Sequence, residues 1–123
     1  MFEIAVLPSS ERGEDGQRLG RITIGDFSER FGCYGSAAQI GRMDSTWRAR
    51  LQAIVDGALV VALIHDPRFA WVVFRDGESC FVQQVGSPNG KFGAPRRHRG
   101  ASEWETTVAA IRGFLQRGSR DVA

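Results

Sequence analysis

ALVVALIHDPRFAWVVFRDGESCFVQQV, residues 58–85, is the stretch whose reading decides the fold. Ala58 to Ile64 is a continuous apolar run rich in β-branched side chains and too short for a lone helix. It reads as a central strand covered on both faces. His65 to Arg68 turns the chain, because Asp66 and Pro67 are the types preferred at the first two positions of a type I turn. Phe69 to Phe74 follows as an apolar, aromatic strand. Asp76-Gly77 supplies the residue types of a two-residue type I′ hairpin turn, in which both central residues need positive φ. Ser79 to Val85 then returns antiparallel, and the three runs predict a meander.

On the N-terminal side of this meander lies a helix. Ile40, Met43, Trp47, Leu51 and Ile54 recur at steps of three and four, which places them on one helical face. The start is open: Asp44 can cap a late start, whereas a start near Ile40 must tolerate Gly41 at about 1 kcal/mol. Gly57 after Asp56 is where a left-handed residue ends a helix. Before the helix, Gly25 to Gln39 reads as irregular. Further upstream, Leu19 to Ile24 alternates, as does Phe2 to Val6, where Pro8 stops the ladder. Ser9 to Gln17, dense in turn formers and charge, can join these two runs as a wide hairpin.

On the C-terminal side, Gly86 to Gly100 has no periodicity and carries two prolines and four glycines. A structureless segment of that length in a small domain is usually functional. Ser102 and Glu105 form a capping-box pair, and Trp104, Val108, Ile111 and Leu115 follow as a second amphipathic stripe ending at Gly118. Residues 119–123 are expected to fray. The fold class is therefore α+β: one domain over 1–118, an antiparallel sheet of about five strands packed with two amphipathic helices.

Composition excludes several classes of function. At 123 residues and 42% hydrophobic, the chain can bury roughly two-thirds of its unfolded surface in one core. The formal charge of +2 falls short of the basic excess that drives non-specific nucleic-acid binding. Cys33 and Cys80 are too few for a disulfide scaffold and too far apart for a metal or redox pair, so both are expected to be reduced. No basic stretch followed by an apolar segment opens the chain, and no apolar run approaches membrane-spanning length. The expectation is a cytoplasmic protein without membrane contact.

No residues announce catalysis. Gly86-Ser87-Pro88-Asn89-Gly90-Lys91 is one residue short of a phosphate-binding P-loop, with Phe92 where a hydroxyl is needed and no helix after it. His65 reads as a turn residue. His98 lies in Arg96-Arg97-His98-Arg99, and no acidic residue occurs between Glu78 and Glu103. The loop is thus a cationic segment that can be solvated, clamp an acidic protein surface or contact phosphate. Asp26 and Glu29, three apart, read as surface carboxylates rather than a metal or acid-base pair. No catalytic, metal or cofactor site is expected.

The segment Gly20-Arg21-Ile22-Thr23-Ile24-Gly25-Asp26-Phe27-Ser28-Glu29-Arg30-Phe31 resembles the N-terminal signature of a family of immunity proteins from bacterial contact-dependent growth inhibition (CDI) systems, the CdiI-like proteins. Trp47, opening Trp47-Arg48-Ala49-Arg50-Leu51, falls where that family carries a tryptophan before a helical segment. The resemblance implies a cytoplasmic antitoxin that binds, one to one, the C-terminal toxin domain of a matched CdiA-like effector, very often a nuclease. Asp26, Glu29, Arg96 and Arg97 are then the steering candidates and Phe27 and Tyr34 the anchors, with Phe31 and Phe92 also available. Two other classes stay open: a small nucleic-acid module using the Arg96 to Arg99 loop, and a small hydrolase using His65 or His98 with Asp26 or Asp66.

Overall fold

Two antiparallel sheets form, and a glycine-led two-residue turn closes one hairpin in each. The computed structural model describes residues 1–87, 89–93 and 95–118. The expected fraying of 119–123 falls outside them, as do two positions of the 86–100 loop. Strands β1 (Phe2–Val6), β2 (Arg18–Ile24) and β3 (Phe27–Cys33) make the first sheet in that order. Helix α1 (Ala37–Val55) leads to β4 (Val60–Asp66), β5 (Phe69–Asp76), β6 (Ser79–Gly86) and β7 (Trp104–Thr107), which make the second sheet, also in sequence order, before helix α2 (Val108–Gly118). The expected single sheet of about five strands is instead a pair of three and four strands.

The difference begins at the segment read as irregular, Gly25 to Gln39. Gly25 and Asp26 form a two-residue turn between the paired Ile24 and Phe27, and Gly25 has φ 59°. A positive φ at the first central residue alone is the type II′ arrangement, whose twist suits a hairpin. The meander uses the same device: Asp76 pairs with Ser79, and Gly77 at φ 63° leads the turn. Gly77-Glu78, not Asp76-Gly77, is the central pair, and no non-glycine residue among those described has positive φ. Gly20 explains part of the β2 sequence. A Cβ there would come within 2.6 Å of the Phe31 ring, which lies opposite it in the register and covers the bare backbone.

Helix α1 starts at neither expected position. Ser36 is the N-cap: its hydroxyl accepts from the Gln39 amide at 3.1 Å, and the Gln39 side chain accepts from the Ser36 amide at 2.7 Å. Two orphan amides are thereby satisfied reciprocally. The end is as expected. Gly57, at φ 118°, donates to Ile54, and Ala58 donates to Ala53, the paired bonds of a Schellman motif. Arg75 reaches across from β5 to donate to the carbonyls of Ile54 and Val55 at 2.6 and 3.1 Å. Its cation thus stands at the negative end of a helix that has no basic residue in its own last turn.

The capping box expected at Ser102 and Glu105 does not start a helix. Trp104 to Thr107 adds β7 beside β6, and the Thr107 hydroxyl accepts from the Ala110 amide at 3.0 Å to open α2. Val108 and Ile111 are buried as expected, Leu115 is half-buried, and Phe114, absent from the expected stripe, is buried beside Phe2. The main core joins the inner faces of both sheets to α1 and α2 around Trp47, Leu51, Leu63, Trp71 and Val82. The strand covered on both faces is β5 rather than β4. Trp71 and Val73 enter the main core, while Ala70, Val72 and Phe74 enter a smaller cluster with Phe81, Val85 and Phe92 on the opposite face. β4 is an edge strand, and its Ile64 remains 43% exposed.

Candidate partner-binding surface

The two sheets touch where β3 and β4 end. The Tyr34 amide donates to the His65 carbonyl at 2.8 Å, and the His65 ring nitrogen Nδ1 lies 2.9 Å from the Gly32 carbonyl. A carbonyl only accepts, so Nδ1 carries the proton and Nε2, 3.4 Å from the Gln84 amide nitrogen, is the acceptor. His65 is therefore a buried stitch between sheets at the end of β4, 4% exposed, and not the turn residue expected. Phe31 packs on its ring, and Phe31 in turn contacts Trp47 and Trp71. Asp66, adjacent in sequence, accepts from the Arg68 amide. Among the described contacts no carboxylate holds either imidazole as a catalytic dyad requires.

Burial pushes the His65 imidazole below its ordinary value of 6.5, against the opposing pulls of the Gly32 hydrogen bond and the Asp66 charge. The unfolded chain therefore takes up a proton before the folded one as pH falls. The stability owed to neutral His65 is complete above about pH 6.5 and is lost as pH drops through the lower folded value. His65→Asn keeps an amide that can donate to Gly32 and removes the titration. Its melting temperature is expected to vary less between pH 7.5 and 5 than that of the wild type, and an equal slope in both would refute this account.

Tyr34 stands above this stitch, 42% exposed. Its ring folds back over Gly32, where a Cβ would meet it at 2.4 Å. A depression lies on either side. One, of about 350 Å³ between α1 and β4, is lined by Tyr34, Arg42, Met43, Arg50, Ile64 and Pro67 among others. The second, of about 510 Å³, runs along β3 towards β5 and β6 and includes Glu29, Arg30, Tyr34, His65, Phe69 and Gln84. Tyr34 and Asp66 belong to both.

The cationic loop after β6 is tied to the outer face of the second sheet. Gln83, 1% exposed, donates to the His98 carbonyl at 2.9 Å and to Glu103 at 3.0 Å, and it accepts from the His98 amide at 3.0 Å. Arg97 forms a two-pronged pair with Glu103, with Nη2 2.6 Å from Oε2. Its guanidinium also lies 3.7 Å from the centre of the Phe81 ring. The Glu103 carboxyl is held below the usual carboxylate range by this pairing and by Gln83. A third depression, of about 440 Å³, includes Lys91, Phe92, Arg96 and His98 in its lining.

The six residues singled out in the sequence thus fall in three places. Glu29 and Tyr34 share the junction. Phe27 opens β3 and Asp26 lies in the turn before it. Phe27 is roughly 23 Å from Tyr34 at the rise of an extended strand, although only two residues from Glu29. Phe27 is half-buried and stacks on Trp104 with ring centres 4.0 Å apart, which joins the first sheet to β7. Arg96 and Arg97 lie on the loop. Sequence reasoning missed Arg42, Arg50, Ile64 and Phe69. A signal for two of them was present, since Arg42, Thr46 and Arg50 recur every four residues beside the apolar stripe of α1.

Cys33 and Cys80 are both buried and unbonded. Burial pushes the Cys33 thiol up to about 11 and raises that of Cys80, which suppresses the reactive thiolate in each. Among the described residues no three His, Cys, Asp or Glu side chains converge to hold a metal ion, and no helix is long and apolar enough to cross a membrane.

No family model matches the chain, and no curated protein matches it. Among solved structures, the chain is similar to one chain of the CdiA-CT/CdiI toxin and immunity complex from Enterobacter cloacae, at 24% sequence identity and a TM-score of 0.71. The match spans 100% of both chains, so the two share one fold from end to end.

Proposed function

We propose that this chain is an immunity protein that binds and neutralises the C-terminal toxin domain of a cognate contact-dependent growth inhibition effector. The observation that carries the reading is the end-to-end match to a chain of a solved toxin and immunity complex. The resemblance of Gly20 to Phe31 to the family signature, found in the sequence alone, supports it independently. The toxin is read as a nuclease, the complex as one to one, the compartment as the cytoplasm, and the action as occupancy without turnover. Tyr34 serves as an anchor, while Asp26, Glu29 and Arg96 are the exposed charges available for steering. Phe27 and Arg97 already make the contacts with Trp104 and Glu103, and any part they take in binding is additional to these. An immunity protein must capture toxin on arrival, which favours a charge-steered encounter followed by slow release from a desolvated centre.

Co-expression with the toxin domain encoded beside it is expected to restore growth, and the pair to co-purify at one to one. A folded protein that does neither sinks the reading. Turnover by the purified chain that vanishes in His65→Asn or His98→Ala would establish the hydrolase instead. The depression containing Lys91, Arg96 and His98 favours phosphate contact as a second reading. Binding to RNA or DNA that weakens steeply with added salt would support it.

A further inference from the structure

We infer that the toxin is received at the junction of the two sheets, by a segment that lays an apolar side chain beside Tyr34 and Ile64 and offers carboxylates to Arg42 and Arg50. The inference rests on the immunity reading and assigns the surface that performs it. Five large hydrophobic side chains are exposed among the described residues: Met1, Tyr34, Leu59, Ile64 and Phe69. Met1 and Leu59 line neither of the depressions at the junction. The other three line the two depressions that share Tyr34. Concentration of exposed aromatic and aliphatic surface in one concave place marks an interaction site, whereas scattered single residues do not.

Charge selects the occupant. Arg42 and Arg50 are exposed on α1 and line the groove, and neither forms an ion pair among the described residues. They are eight residues apart, roughly 12 Å along the helix. A guanidinium is matched by a carboxylate through parallel hydrogen bonds, and such pairs gain strength as the apolar centre between them is desolvated. The partner segment therefore lies along α1 and carries two acidic groups at about that spacing, flanking its apolar side chain.

The floor of the site is pre-formed. Trp47 donates its indole N–H to the Ile64 carbonyl at 2.9 Å, and Tyr34 is fixed through its amide to His65. Little ordering remains to be done on binding. The cationic loop, though tied to the sheet by Gln83, presents no exposed large hydrophobic side chain among the described residues. Phe92 packs into the outer cluster of the second sheet, and Arg97 is paired with Glu103.

The test measures affinity for the purified toxin domain by surface plasmon resonance with three variants: Tyr34→Ala, Arg42→Glu/Arg50→Glu and, as a control on α2, Arg112→Glu. All four positions are exposed, and circular-dichroism melts verify folding. The charge-reversed pair is expected to weaken binding by about 100-fold, and Tyr34→Ala by roughly 30-fold, the size of central interface contacts. Arg112→Glu is expected to bind like the wild type. Wild-type binding and rescue with both groove variants unaffected would overturn the surface assignment while leaving the immunity reading intact. Wild type that does not bind removes both. A wild-type chain that sediments alone as a dimer, and as a monomer in Ile64→Asp, would assign the groove to self-association and also overturn the proposal.

Discussion

Replacing Trp47 by alanine is expected to destabilise the fold by about 3–5 kcal/mol, the cost of emptying a large buried aromatic site. Trp47 is 1% exposed, lies on the inward stripe of α1 and contacts the Phe31 ring that joins both sheets. Its indole N–H is also the partner of the Ile64 carbonyl on the edge strand. The loss therefore combines a cavity with the release of β4 from the helix. For a domain whose total stability is about 5–15 kcal/mol, the variant should approach the threshold of folding. Trp47→Phe separates the two contributions. It retains most of the apolar volume, so its cost is the lost hydrogen bond, about 1 kcal/mol, with a cavity far smaller than that of alanine. Urea titration of both variants provides the measurement. A Trp47→Ala midpoint close to that of the wild type would show that this residue does not bridge helix and sheets.

What the sequence disclosed and what it concealed have separate physical causes. The meander from β4 to β6, the inward face of α1 and its stop at Gly57 were legible because each rests on a local pattern: apolar runs, helical spacing, a left-handed glycine. β3 was hidden because Ser28, Glu29 and Arg30 are all exposed on one edge of the first sheet, so the strand shows no alternation until Phe31. The start of α2 was misplaced because Ser102 and Glu105 satisfy the local rule of a capping box. The open edge of β6 offered Trp104 to Thr107 a ladder instead, and Trp104 a stack on Phe27. Tyr34 was named from the sequence as an anchor, and the structure places it exposed beside the junction. Its neighbours Ile64 and Phe69 were assigned to strands, and only the tertiary contact between β3 and β4 brings them together with Arg42 and Arg50. A candidate surface assembled from three distant segments has no spacing in sequence by which to find it, whereas a metal or nucleophile motif often does.

The loop after β6 has no periodicity in sequence, yet the hydrogen bonds of Gln83 tie it into the fold. The Gln83 amide is buried on the outer face of the second sheet and satisfies both the N–H and the C=O of His98 together with a Glu103 oxygen. Gln83→Ala removes all three partners at once. A buried polar group left unpaired costs about 1–3 kcal/mol, and water entering the space vacated recovers part of that, so the expected net loss is about 1–2 kcal/mol. The loop also covers apolar surface, since Phe92 packs in the cluster with Val72 and Phe74. Loosening it exposes that face, and the variant should bind a hydrophobic dye more strongly than the wild type. Arg97→Ser should cost less, because its ion pair with Glu103 is solvent-exposed and screened. Arg96→Ser, at an exposed position without an ion pair among the described residues, should leave the melt unchanged. Hydrogen exchange at the His98 amide gives the direct readout. Protection is expected in the wild type and in Arg96→Ser and is expected to be lost in Gln83→Ala. If Gln83→Ala melts with the wild type and keeps that amide protected, the loop is held by its own turns and not by the sheet beneath it.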